Sequence, residues 1–241
     1  MKDFANLRKD EQRARDRDIE ASAARIKAAS SARDLATGVE TFLSFDLVAG
    51  NGVLEPLELN LLHATDLDDR QVDDIYHILR NNMQSMYEEA GWGWEVAEKR
   101  AELTHPDARF LVARRADGKL AGFSSFRFMW DAEEEDEEDK VDVLYVYELQ
   151  MAPWAKRRGL GRRIMQTLEL LAGRRGMSKV MLTVFKLNGP AMSFYMEKMK
   201  YQVDTDSPSL WGRDEPYEIL SKATRAGMLR ADGVKTGPSI I

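Results

Sequence analysis

The spacing of apolar and polar positions divides the chain into elements. Residues 5–35 are rich in Ala, Arg and Glu without Gly or Pro, which predicts one long helix. Charges of both signs interleave along it, so much of it faces water, and Ile19, Ala23, Ile26 and Leu35 are the positions able to dock on a core. Short strands are predicted at 41–48 and 53–60, around Gly50-Asn51-Gly52. From Asp66 to about Ala90, Val72, Ile75, Ile78 and Leu79 recur at helical spacing, with Asp66 or Asp68 as the cap. That helix runs into an aromatic turn, Tyr87 to Trp94, whose tryptophans Trp92 and Trp94 need apolar cover either as core or as a pocket wall. At Arg109 the period changes to two: RFLVARR, a turn with Asp117-Gly118, then LAGFSSFRFMW reads as a β-hairpin. Strands follow at 143–152, ended by Pro153, and at 179–185, whose apolar run suits a buried strand beside a parallel neighbour. Helices are predicted at 159–173, with Ile164, Leu168 and Leu171 on one face, and from Pro190 to Met199. Residues 201–204 and 217–220 are candidate last strands, and the final stretch lacks periodicity and reads as a tail.

A chain of 241 residues, 44% hydrophobic and 32% charged, suits one α/β domain with extensions and not a disordered polymer. The absence of cysteine excludes a disulfide scaffold, a Cys-ligated zinc and a thiol nucleophile. His63, His77 and His105 have no ligand-like spacing, so no metal is expected. No apolar run reaches membrane-spanning length and the start is too charged for a secretory signal. Cytoplasm and nucleus are the expected compartments, with no membrane partner. The net charge of −6 is uneven: residues 131–142 hold nine acids and one lysine, and taking that −8 from −6 leaves +2 elsewhere. Such a block is a solvated loop or an electrostatic lure for a cationic partner. The acids within the first helix argue against a nucleic-acid arm, leaving a structural brace or a ribosome contact.

The informative segment is strand, basic turn, Gly-x-Gly and helix: YELQMAPWAKRRGLGRRIMQTLELL. Gly159 and Gly161 let backbone approach a ligand closely, and they stand where a helix presents free N–H groups. Lys156, Arg157, Arg158, Arg162 and Arg163 add positive charge, so a pyrophosphate fits. A Rossmann fingerprint would need a third glycine in register, and a P-loop would need Gly-Lys-Ser/Thr. Neither is present.

The stretch Lys156-Arg157-Arg158-Gly159-Leu160-Gly161 resembles the acetyl-CoA motif of the GCN5-related N-acetyltransferase superfamily, with Lys at its first position instead of Gln or Arg. LTVFKLNGPAMSFYMEKMKY resembles the superfamily's later segment. NNMQSMYEEAGWGW, FSSFRF, LYVYELQ, RRGLG, MLTVFKLN, DSPS and YEIL together are similar to the NatD family of histone N-alpha-acetyltransferases. The resemblance implies an α/β fold with a mixed central sheet splayed between the family's fourth and fifth strands, here 143–152 and 179–185. It divides the chain into an N-terminal helical extension (1–36), an acetyltransferase domain (37–222, with the acidic loop at 131–142) and a C-terminal tail (223–241). The implied co-substrate is acetyl-CoA, the acceptor is a histone amino terminus beginning Ser-Gly-Arg-Gly, and the expected state is a monomer.

Residue by residue, the resemblance gives Leu149, Gln150 and Met151 as backbone for the pantetheine. Arg157, Arg158, Gly159, Leu160, Gly161 and Arg162 would hold the pyrophosphate, and Asn188 would reach the pantetheine. Glu148 is the only acid of its strand, and among Tyr145, Val146, Tyr147 and Leu149 it is partly desolvated. The resemblance makes it the general base through a water, with Tyr147 beside it, and Tyr195 as a candidate proton donor to the thiolate. Tyr87, Trp92, Tyr145, Tyr147, Thr183, Asp206 and Tyr217 are implied to meet the peptide, with Asp131 and Glu133 as candidates for its arginine. Strand parity, however, puts Tyr145 and Tyr147 on one face and Glu148 on the other, so a shared pocket requires a bulge or splay. Two alternatives stand beside this reading: transfer to lysine or a small amine by the same fold, and a non-catalytic histone-binding module.

Overall fold

The computed structural model describes residues 2–48, 52–131 and 140–235. Among them the chain forms an eight-stranded sheet in the order β1-β2-β3-β4-β5-β6-β8-β7. The strands are β1 (Ser44–Val48), β2 (Leu54–His63), β3 (Arg109–Arg115), β4 (Leu120–Trp130), β5 (Asp142–Met151), β6 (Lys179–Phe185), β7 (Gln202–Val203) and β8 (Tyr217–Ala223). Within these residues β5 and β6 make the one parallel pair; the other neighbours are antiparallel. Two strands precede the first inserted helix, so β5 and β6 correspond to the fourth and fifth strands of the expected fold.

Helix α1 (Lys2–Ser31) and helix α4 (Leu160–Arg174) lie on the side of the larger core, where Phe126, Phe128, Leu144, Val146, Leu168 and Leu182 meet. Helices α2 (Asp69–Glu89) and α3 (Val96–Leu103) cover the smaller core of Ile75, Tyr76, Leu79, Phe110, Val112 and Phe123. Helix α2 starts at Asp68, which forms a reciprocal capping box with Gln71, worth about 1 kcal/mol.

Four expectations change. Ala23 is exposed, and α1 docks instead through Ser22, Arg25, Ile26 and Ala29. Helix α3 was not predicted; its apolar signal is weak because one of its buried positions is Lys99. The helix opened by Pro190 is α-helical only over α5 (Gly189–Ser193) and widens to a π-turn at Phe194–Lys198, which buries Tyr195. The expected tail is largely ordered: β8 reaches Ala223 and α6 (Arg225–Lys235) follows. Gly227 permits this, since a Cβ there would collide with the Ser178 carbonyl.

One buried carboxylate joins both flanking helices to the sheet. Asp142, at the start of β5, is fully buried. It pairs with Arg25 of α1 at 2.6 Å, accepts from Ser178 Oγ at 2.6 Å and lies 3.7 Å from Arg230 of α6. Removing one member leaves the others desolvated without a counter-charge. Asp142→Ala is therefore expected to cost ~3 kcal/mol in urea unfolding and to expose α1 to protease. A loss within ~1 kcal/mol would show that α1 is held by its apolar contacts alone.

Candidate active site

The parity conflict is resolved in the backbone of β5. Ser125 pairs with Glu148 and Phe126 with Val146, so Tyr147 is an extra residue, a β-bulge. The bulge turns Glu148 to the side already occupied by Tyr145 and Tyr147. On the opposite edge, pairing with β6 runs from Val143↔Lys179 to Val146↔Leu182 and stops there, although β6 continues to Phe185. Beyond Val146 the two strands part, and the β5 edge from Tyr147 to Met151 faces an open gap.

A cleft of about 370 Å³ fills the splay. It is lined by Tyr87, Trp92, Tyr145, Tyr147, Glu148, Leu149, Gln150, Thr183, Asn188 and Tyr195, all named from the sequence. The aromatics make a continuous wall: Trp92 packs edge-on against Phe185 at 4.9 Å and Tyr217 at 5.4 Å, and Tyr87 meets Phe185 at 5.0 Å. Tyr217 packs against Trp92, which is part of the pocket wall, whereas Trp94 packs on the smaller core beside Tyr76. Tyr145 shares a 2.5 Å hydrogen bond with Thr183, and burial pushes its phenol up to about 12.

Glu148 sits on the floor of this slot. Burial raises its pKa from 4.5 to about 7, against the opposing effects of the Gln150 amide, which donates to it at 2.8 Å, and of the Lys99 charge. A carboxyl group that changes charge near neutrality suits a general base. Burial, and then the Glu148 charge, push the Tyr195 phenol well above its usual range, so it stays protonated.

The phosphate turn lies between β5 and α4. Arg157 adopts the left-handed region (φ 61°) and Gly159 caps α4 there too (φ 87°). The first N–H groups of α4 emerge beside exposed Lys156, Arg157 and Arg162 and half-buried Arg158, while Leu160 anchors the turn in the core. A Cβ on Gly159 would approach Phe45 to 3.4 Å. Met151 packs its sulfur against Gly122, where a Cβ would meet it at 2.6 Å.

Two candidates lie elsewhere. Asp131 is a clamp: its carboxylate pairs with half-buried Lys179 at 3.0 Å and accepts from the Val141 amide, closing the neck of the acidic stretch. Its charge is neutralised there, so it is not a free arginine ligand in the slot. Asp206 is exposed beside Asp204, outside the residues lining the cleft. Glu133, with the rest of the acidic stretch at 132–139, lies outside the described residues. The pattern missed Lys99 and Glu102 of α3, which pair at 2.9 Å at the cleft wall, where Lys99 also donates to the Tyr87 hydroxyl at 3.3 Å. A larger open depression of about 740 Å³ lies near Trp154 and the β3–β4 turn. Its charges are partly paired, as Arg114 with Asp74 at 3.4 Å, and it contains none of the candidate catalytic groups.

Residues 72–201 match the sequence model of the acetyltransferase (GNAT) family. The chain belongs to that family. Streptothricin acetyltransferase of Streptomyces lavendulae is 31% identical to this chain over 104 residues, 43% of its length. The match spans 50% of that relative, so the chain covers about half the length of the curated relative it matches. Among solved structures, PH1933 from Pyrococcus horikoshii OT3 has a TM-score of 0.51 at 18% identity, covering 70% of this chain and 99% of its own. The Arabidopsis thaliana NAA60 structure, in complex with a bisubstrate analogue, gives a TM-score of 0.50 at 14% identity over 70% and 99%. At those identities the likeness is one of fold.

The GNAT fold uses acetyl-CoA, and the residues of this chain fit it. The unpaired β5 edge supplies a strand for an extended amide-bearing arm, and the basic turn at the α4 N-terminus supplies N–H groups for phosphate. Bound there, acetyl-CoA supplies a thioester whose acyl carbon a neutral amine can attack. Among the described residues no cluster of His, Asp and Glu is placed to hold a metal ion.

Two outcomes test this site. Gly159→Val places a branched side chain at positive φ against Phe45 and is expected to weaken coenzyme A binding at least ~10-fold in calorimetry; unchanged affinity would remove the turn from the site. The raised Glu148 pKa also has a stability consequence. Ionising Glu148 is harder in the folded chain than unfolded, so the penalty is absent below pH 4.5, grows towards pH 7 and is complete above it. Glu148→Gln should therefore stabilise the fold at pH 8, by on the order of 1–2 kcal/mol, and not at pH 4.5. An equal shift at both pH values would contradict the raised pKa.

Proposed function

We propose that this acetyltransferase moves acetyl from acetyl-CoA to the free α-amino group of histones beginning Ser-Gly-Arg-Gly. The observation that carries the reading is the aromatic slot with Glu148 at its floor. Walls built from Trp92, Tyr87, Tyr145 and Tyr147 leave room for small first residues at a chain end and exclude a bulky flank. An α-ammonium has a pKa of about 8, so a carboxylate titrating near 7 can take its proton through one water. A lysine ammonium at about 10.4 is a harder donor for the same base. Tyr195, protonated and facing the cleft, is placed to return a proton to the departing thiolate sulfur. Termini beginning Ser-Gly-Arg-Gly are met on free histones in the cytoplasm and nucleus, and on nascent chains at the ribosome.

A second reading is favoured by one specific observation, the partial match to a streptothricin acetyltransferase. Under it the same slot takes a small cationic amine. Acetyl transfer should be measured to three acceptors: a free Ser-Gly-Arg-Gly-Lys peptide, the same peptide with its amino terminus blocked, and streptothricin. Transfer to the free peptide alone supports the histone reading. Transfer to the blocked peptide moves the chemistry to lysine, and transfer to streptothricin alone supports the second reading. Transfer to none favours the non-catalytic binding module.

In the wild type, kcat/KM for the free peptide is expected to rise through an apparent pKa near 7. Glu148→Gln should lower kcat by ~10²–10⁴-fold while sparing peptide affinity. Full activity in that variant would remove Glu148 from the base role.

A further inference from the structure

A chain of side-chain hydrogen bonds runs from the phosphate turn to the base. Lys156 Nζ donates to Asn82 Oδ1 at 2.7 Å. Asn82, on α2, donates through Nδ2 to Gln150 Oε1 at 3.0 Å and to the Met151 carbonyl at 3.1 Å. Gln150, itself buried, donates through Nε2 to Glu148 Oε2 at 2.8 Å. An isolated amide can be turned end for end, exchanging donor and acceptor. Here the ends of the chain forbid it. The Lys156 ammonium only donates, whereas the Met151 carbonyl and the ionised Glu148 carboxylate only accept. Asn82 must therefore present its NH₂ to β5, Gln150 must present its oxygen to Asn82, and the remaining Gln150 N–H must point at Glu148.

We propose that Asn82 is a positioning residue for acyl transfer: it locks the Gln150 amide so that its N–H holds the Glu148 carboxylate, and it ties that lock to the phosphate turn through Lys156. The inference rests on Glu148 as the base and extends it to residues that touch no reacting atom. A donor fixed on the carboxylate favours the ionised, proton-accepting form and one rotamer. Without Asn82 the Gln150 amide is free to turn, and its oxygen can face the carboxylate instead. The other groups facing Glu148 are Lys99 and Glu102 on α3, Tyr87 on α2, and Tyr195 in the π-turn after β6. Lys99 favours the charged form and Glu102 opposes it. None of these is altered when Asn82 is replaced, so a change in Glu148 titration isolates the relay.

The test is Asn82→Leu, similar in size and without a donor. The Glu148 carboxyl is titrated by carbon NMR, and kcat/KM is followed against pH with the free peptide. The midpoint is expected to rise by ~0.5–1 unit, with kcat/KM falling ~2–5-fold at pH 7 and recovering to within ~2-fold of wild type at pH 9. Peptide KM should stay level. Gln150→Leu should give the same shift, and the double variant no further one. An unmoved midpoint in both single variants, or a loss of rate equal at every pH, overturns the proposal. If Asn82→Leu does not fold, Gln150→Leu and Lys156→Met carry the same titration; Lys156→Met is expected to shift the midpoint by a smaller amount, and no movement in either overturns the relay. The two readings fail separately: a shifted midpoint with full activity in Glu148→Gln defeats the base assignment and leaves the relay standing.

Discussion

The structure depends on a strand that cannot stay paired. At Tyr147 β5 gains one residue against β4, and past Val146 it leaves β6. These two departures have one outcome. The bulge rotates Glu148 onto the tyrosine face, and the divergence opens the space into which that face looks. A regular strand would have buried Glu148 against the opposite layer or paired its edge with β6, and neither arrangement leaves room for an acceptor and a thioester. Antiparallel pairing on one side and an interrupted parallel pair on the other therefore convert part of the sheet into a binding surface.

The electrostatics of the cleft follow from that geometry. Glu148 is withdrawn from water, which discourages ionisation, while the Gln150 amide and Lys99 compensate. Lys99 is itself buried and retains its charge against desolvation through Glu102 and the Tyr87 hydroxyl. Glu148 thus sits among groups that moderate one another: a carboxylate too well solvated would be too weak a base, and one without a donor would hold its proton too tightly.

Much of this was legible in the sequence because local and tertiary preferences agreed. The hairpin at 109–130, the capped helix ending at Glu89 and the strand–turn–helix around Gly159 follow from period, turn residues and caps, and the last two bring Tyr87 and Tyr145 to Gln150 into the cleft lining. The parity of β5 required a bulge or a splay without placing it, and the structure puts the bulge at Tyr147. Other features depended on contacts that no local pattern encodes. Helix α3 buries a lysine, so its apolar stripe is interrupted. Helix α6 relies on Gly227 fitting over the Ser178 carbonyl and on Arg230 reaching Gly176 and Asp142. Asp131 looked like part of a continuous acidic run, yet pairing with Lys179 separates it from its neighbours in role. Nothing in the local pattern singles out Asn82, because its partners come from a strand and a turn far along the chain.

The carboxylate of Asp142 carries a consequence for how the fold is assembled. Arg25 and Asp142 are 117 positions apart, so Arg25 cannot make this pair until the sheet through β5 exists, and Arg230 cannot complete the cluster until α6 has been synthesised. On a ribosome, α1 emerges well before β5 and docks late. Its exposed, mixed-charge surface, with few apolar side chains to hide, allows it to wait in water without recruiting the wrong strand, which is the property an early-emerging segment needs when its destination is built last.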